Sequence, residues 1–250
     1  MNFILKKILI VLWILGLAVV LVGCSKEDTV NNKLIFVTAA DYPPFEYRVN
    51  GKMVGFDVEL GEMIAAELGK VAEFQDMQFS SLLAAVQSGM VDAAISTVTI
   101  TEDRKKNFDF SDPYYVESMV VVFPKDKPIK QAAELSGKKI ACQLGTTMQI
   151  WLKNHAPDTK IITTDNNPQA IEALKAGHVD GVLIDTVQGK AFSKKNKNLS
   201  YAIIAQSDTG YAVAVKKGSS LRESINQALK SLEKKGVLKK LKKKYLEGEE

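Results

Sequence analysis

Residues 96–115, STVTITEDRKKNFDFSDPYY, concentrate groups able to hold a small anion. Ser96, Thr97 and Thr99 bring hydroxyls, and Thr101, Glu102 and Asp103 lead to Arg104. Hydroxyls and backbone N–H groups orient an anion, while a guanidinium fork grips a carboxylate through two parallel hydrogen bonds. The alternative is a polar loop whose Arg104 pairs with Asp109 or Asp112; this stretch alone supports both equally. A second loop of this kind is Gln143-Leu144-Gly145-Thr146-Thr147. Glycine and two threonines at a strand–helix junction offer unpaired N–H groups and close backbone approach to an anion. The glycine and lysine spacing of a Walker loop or a dinucleotide fingerprint is absent. Asp185 ends the apolar run Gly181-Val182-Leu183-Ile184. It could receive an ammonium there, where ligands of open α/β sheets sit, or merely cap the next helix. Tyr42, in Tyr42-Pro43-Pro44-Phe45, stands on a proline-stiffened loop and could cover a ligand or plug the domain edge.

These loops need strands and helices to deliver them. Leu34-Ile35-Phe36-Val37 predicts the first strand, and Asn50-Gly51 a hairpin turn. Gly55-Phe56-Asp57 introduces a helix with Leu60, Met63, Ile64 and Leu68 on one face and Gly69 as its stop. A strand over 71–77, a helix capped by Ser80 and ending near Gly89, and a strand over 91–95 then reach the hydroxyl loop. Thr101 is an N-cap type opening a short helical turn. A second series follows: strand 118–123, helix near 131–135, strand 138–142, a helix from about Met148, strand 160–163 and helix 168–176. Strand 181–184, a helix after Asp185, strand 200–205 and the run 211–215 complete it. The end is helical, with Leu221, Ile225, Leu229 and Leu232, then Val237, Leu238 and Leu241. This alternation argues for an α/β protein with largely parallel sheets.

Length and composition fit that class: 250 residues, 46% apolar and 25% charged, enough for one large or two modest domains. Formal charge is +4, and residues 1–23 hold Lys6 and Lys7 with no acid, leaving 4 − 2 = +2 beyond them. That is too weak to argue for nucleic acid. Two histidines, His155 and His178, support neither a histidine metal cluster nor a conventional catalytic triad, so no metal and no catalytic residue is assigned. Cys142 lies in an apolar strand pattern and reads as a buried structural thiol, with no internal disulfide.

The N-terminus is a leader of another kind. Lys6-Lys7 precedes the apolar run 8–22, shorter than the ~20 residues of a spanning helix, and Gly23-Cys24 follows. Residues 1–23 read as a signal peptide. Leu21-Val22-Gly23-Cys24 resembles the bacterial lipobox, with Cys24 as the lipidation site and 25–32, SKEDTVNN, as a polar tether. An uncleaved anchor with an incidental cysteine is the alternative. At the other end KKGVLKKLKKKY is basic and amphipathic, read as a solvated helix face with anionic lipid as the lesser option.

Taken together, Tyr42-Pro43-Pro44-Phe45, Gly55-Phe56-Asp57, the 96–115 stretch, Gly145-Thr146-Thr147 and Asp185 resemble the polar amino-acid-binding proteins of bacterial ABC importers. The resemblance covers nearly all of 33–245. It implies a two-lobed α/β periplasmic-binding-protein-like fold with two crossover strands and a ligand cleft. Lobe 1 would span 33–117 plus 211–250, and lobe 2 would span 118–210. It further implies that Arg104 holds the ligand's α-carboxylate, assisted by Thr99, Thr146 and Thr147. Asp185 and Ser96 would take the α-ammonium with Thr97 on the same wall. Tyr42 and Phe56 would sandwich the side chain, and Gln143 would touch it.

The implied protein is an exported, lipid-anchored monomer in the periplasm or at the cell surface. It would need no cofactor and would pass an L-amino acid to a membrane permease. Binders of basic amino acids in this family often carry an acid where this chain has Ala39, with Asp41 two residues on. Arginine is the single expectation, and a neutral polar amino acid stays open. The rival classes are an exported dehydratase of cyclic amino-acid precursors, for which Glu117 or Asp41 could supply a proton, and a sensor acting through a partner.

Overall fold

The computed structural model describes residues 32–207 and 209–246. The leader, Cys24 and the tether as far as residue 31 lie outside the described residues. Strand β1 (Lys33–Thr38) buries Leu34, Phe36 and Val37. Strands β2 (Asp41–Tyr42), β3 (Glu46–Val49) and β4 (Lys52–Val54) form a small antiparallel sheet. Asn50 and Gly51 turn between the last two with φ of 50° and 79°, the primed hairpin turn expected of Asn-Gly. Helix α1 (Phe56–Glu67) buries Leu60 and Ile64 and ends before Gly69 at φ 68°. Then come β5 (Val71–Asp76), α2 (Leu82–Ser88), β6 (Ala93–Ala94), α3 (Glu102–Lys105) and β7 (Phe108–Phe110).

The chain next enters a second sheet with β8 (Met119–Pro124), β9 (Lys139–Gln143), α4 (Thr147–His155) and β10 (Lys160–Thr164). It continues through α5 (Asn167–Lys175), β11 (Gly181–Asp185), α6 (Thr186–Lys195) and β12 (Leu199–Ala205). It returns to the first sheet as β13 (Ala214–Lys216) and closes with α7 (Leu221–Lys234) and α8 (Val237–Tyr245), parted by Gly236 at φ 70°. The first sheet has the order β5-β1-β6-β13-β7 and the second β10-β9-β11-β8-β12. This is the two-lobed α/β architecture, with the chain crossing between sheets twice, at 111–118 and 206–213. In each sheet four of the five strands run in one direction, and only β13 in the first and β8 in the second run against their neighbours. Parallel pairing needs a crossover helix between neighbours, and β13 reaches its sheet from the other one instead.

Local departures have local causes. Ser80 caps nothing, because Phe79–Ser81 form a 3-10 turn and α2 begins only after it. The expected helix near 131–135 is a 3-10 turn, Ala132–Leu135, cut short by Gly137. The strand expected over 91–95 pairs only at Ala93–Ala94, since Thr97 turns the chain at φ 46°. Tyr211 makes isolated bridges to Thr99 and Tyr115 rather than opening a strand. Cys142 is fully buried, and burial pushes its thiol up to about 12, which makes it inert.

Candidate functional site

The candidate residues cluster because of where strands end. Tyr42 follows β1, the hydroxyl loop follows β6, Gln143 and Thr146 follow β9, and Asp185 closes β11. These are the carboxyl ends of the parallel strands, where backbone groups leave the ladder and ligands of open sheets bind. Between the two sheets lies a cavity of about 350 Å³. Tyr42, Thr97, Thr99 and Arg104 line it from the first lobe. Gln143, Thr146, Thr147 and Asp185 line it from the second. Contacts across it hold the lobes together: Gln188 Nε2 donates to Pro43 O at 3.0 Å, and the Tyr42 hydroxyl donates to Asp185 Oδ2.

Arg104 sits on α3, which Thr101 caps by accepting the Arg104 N–H at 3.2 Å. Its guanidinium donates to Thr99 O at 2.7 Å and to Gly145 O at 3.1 Å, and lies 5.9 Å from the centre of the Phe79 ring. Among the described residues no carboxylate pairs with it. Asp109 is engaged by Lys217 at 2.9 Å, and Asp112 by Asn226 and Lys230. Burial draws the guanidinium down to about 10, so it remains charged. Carbonyl dipoles satisfy its N–H groups without neutralising it, which leaves a cation in want of an anion. Gly145 is suited to its place: at φ 81°, its missing Cβ would lie 3.3 Å from Ser80 Cα across the cleft.

Asp185 is the counterpart. Burial pushes its carboxyl up to about 7. Tyr211, whose buried hydroxyl makes no bond of full hydrogen-bond geometry, still pulls the other way, as does Tyr42. Glu117 adds a like charge nearby. A desolvated carboxylate and a desolvated guanidinium lining one cavity from opposite lobes complement a zwitterion.

Behind the first-lobe wall stand two buried acids that sequence reasoning passed over. Ser96 is itself fully buried, accepting Ala39 N–H at 3.1 Å and donating to Glu46 Oε1 at 2.8 Å. Asp57 Oδ2 accepts the Thr97 N–H and the Tyr114 hydroxyl, each at 2.7 Å, fixing the left-handed backbone at Thr97. Glu46 Oε2 and Asp57 Oδ1 have no hydrogen-bond partner, and the two buried carboxyls influence each other's protonation. Burial and the Asp57 charge raise Glu46 strongly; burial brings Asp57 to about 6. The sequence signal was present in Pro44-Phe45-Glu46 and Gly55-Phe56-Asp57, acids set among apolar neighbours.

One expected site residue is misplaced. Phe56 does not sandwich a ligand: it is fully buried in the core, 5.8 Å from Phe45 and 5.9 Å from Tyr114 between ring centres. At the first turn of α1 it packs into the first lobe's core with Phe45, Leu60 and Tyr114. Gly55 at φ 131° brings that helix end against the proline loop so closely that a Cβ would meet Phe45 O at 2.2 Å. Phe79, on the turn before α2, is the aromatic that lines the cavity with Tyr42. Ser96 stands one layer behind the lining. Asn167 and Met148 also line the cavity and were not foreseen. Neither Ala39 nor Asp41 is among the lining residues; Asp41 lies beside Asp76, whose charge adds to burial in raising it to about 6.

Two lobes closing on a cavity with one cationic and one anionic pole define a solute receptor of the bacterial binding-protein class. The chain matches the model for bacterial extracellular solute-binding proteins, family 3, over residues 34–248, and it belongs to that family. It is 36% identical to the arginine-binding extracellular protein ArtP of Bacillus subtilis, covering 98% of this chain and 99% of that one. It is 33% identical to the L-cystine-binding protein TcyJ of Escherichia coli K12, over 82% and 79%. An ancestral arginine-binding protein solved with arginine superposes with a TM-score of 0.83 at 39% identity, over 86% of this chain and 98% of its own.

Proposed function

We propose that this protein captures a basic L-amino acid, L-arginine first among them, and delivers it to an ABC permease without transforming it. The observation that carries this is the placement of Arg104 and Asp185 on different sheets around one cavity, each without an ion-pair partner among the described residues. The α-carboxylate would lie on Arg104, flanked by Thr99 and the Thr146-Thr147 turn at the start of α4. The α-ammonium would lie on Asp185, displacing the Tyr42 hydroxyl from it, with Thr97 beside it. Tyr42 and Phe79 would flank the side chain, and Gln143 and Asn167 would offer it polar contacts. Arginine is favoured by the arginine-binding role of ArtP and of the ancestral protein, while TcyJ, an L-cystine-binding protein, shows that similar chains serve a different amino acid.

The boundaries proposed for the lobes are 33–117 plus 211–250 and 118–210, and the working unit is a monomer. Export under the 1–23 signal with lipid on Cys24 would hold the receptor at the membrane, at the cell surface or in the periplasm. The test is mass spectrometry of ligand released from purified protein, followed by calorimetry with arginine, lysine, histidine, glutamine and cystine. Arginine or another basic amino acid should dominate both. A neutral amino acid in both would overturn the assignment, and turnover of prephenate or arogenate would overturn the non-catalytic role. Cys24→Ala should abolish labelling by fatty acid.

A further inference from the structure

Asp185 occupies the N-cap position of α6, with φ −77° and ψ 154°, yet its side chain makes no capping hydrogen bond. An N-cap aspartate ordinarily turns back to accept the N–H of the second or third helical residue. Thr101 and Asn166 do so at the starts of α3 and α5. In α6 the second residue is Val187, and its N–H donates to Glu117 Oε2 at 3.2 Å. Thr186 gives both its N–H and its hydroxyl to Ser118 O, each at 3.0 Å. Glu117 is held in turn by the Ser118 N–H, which donates to its Oε1 at 3.1 Å. The first two helical N–H groups of α6 are thus satisfied by the segment that connects the two sheets. The Asp185 carboxylate lines the cavity instead and accepts from Tyr42 there.

We propose that Glu117 is a positioning residue, capping α6 in place of Asp185 and so keeping the Asp185 carboxylate turned into the cleft for the ligand's ammonium. This rests on the site assignment made above. Without Glu117, the N-cap carboxylate of Asp185 stands in the position from which N-cap side chains accept the Val187 N–H. A carboxylate that rotates to cap its own helix no longer faces the ligand. Glu117 also adds a like charge beside Asp185, so its bond and its charge have to be separated.

Two variants separate them. Glu117→Ala removes bond and charge; Glu117→Gln removes the charge and keeps one oxygen able to accept the Val187 N–H. Calorimetry with L-arginine should show at least a tenfold loss of affinity for Glu117→Ala and no more than about threefold for Glu117→Gln. Wild-type affinity in Glu117→Ala, or an equal loss in both variants, overturns the proposal. Asp185→Asn is the control for the site: if it binds arginine like wild type, the clamp itself fails, whereas loss in Asp185→Asn beside normal binding in Glu117→Ala sinks only the positioning role.

Discussion

Replacing Arg104 with methionine should move two measurements in ways that a structural arginine would not. The guanidinium is partly buried, bonded only to two carbonyls and without a carboxylate partner among the described residues. Burial draws it down to about 10, which at ~1.4 kcal/mol per pH unit represents on the order of 3 kcal/mol of unrelieved desolvation. A ligand carboxylate relieves that cost. Arg104→Met removes the charge and leaves the ligand carboxylate stranded, a loss of about 3–5 kcal/mol. At ~1.4 kcal/mol per decade that is a hundredfold to several-thousandfold loss of affinity. The unliganded fold loses two hydrogen bonds and is freed of a desolvated charge, so the terms oppose one another. With a shift of about 2–4 °C per kcal/mol in a chain of this size, its melting temperature should stay within about 4 °C of wild type. Calorimetry with L-arginine and thermal unfolding with and without ligand give both numbers. Arginine affinity retained within threefold, or an unliganded melting temperature lowered by more than ~10 °C, would refute the reasoning.

Three further outcomes follow from the same geometry. Asp185 is raised to about 7 in the unliganded protein and must ionise to receive an ammonium, so arginine affinity should fall about tenfold per pH unit below 7 and level off above it; a flat profile from pH 5.5 to 8 would exclude it as the ammonium partner. Glu46 and Asp57 hold protons more tightly folded than unfolded, a contribution fully present below about pH 4 and lost as pH rises through the folded values, about 6 for Asp57. Denaturant unfolding of wild type should therefore weaken from pH 4.5 to 7.5 more than that of Glu46→Gln, whose amide donates permanently; equal pH dependence would count against a raised Glu46 carboxyl. Phe56→Ala should cost about 3–5 kcal/mol of stability as a core truncation, whereas Phe79→Ala should weaken arginine binding at little cost to the fold. The reverse pattern would restore Phe56 to the site.

Much of the architecture was legible along the chain because its signals are local. Apolar runs marked β1, β9 and β11, Asn50-Gly51 marked its hairpin, and Gly69 and Gly89 marked helix ends, each through backbone preferences of a few neighbouring residues. Arg104 and Asp185 were legible as candidates too, since only certain side chains can hold a carboxylate or an ammonium. Their alternatives were not separable there. Whether Arg104 paired with Asp109 or stood free depended on Lys217 reaching Asp109 from more than a hundred residues away. Whether Asp185 capped a helix depended on Glu117 arriving from the connecting segment. The choice of Phe79 over Phe56 was likewise tertiary: both are aromatic residues beside a helix start, and only the packing of α1 under the proline loop sends one inward. The buried Glu46 and Asp57 carboxyls are raised because two elements distant in sequence bury them together. The sequence by itself determined the kinds of element and the kinds of group. The tertiary structure decided which charges went unanswered, because an ion's partner and its solvation are properties of distance rather than of order along the chain.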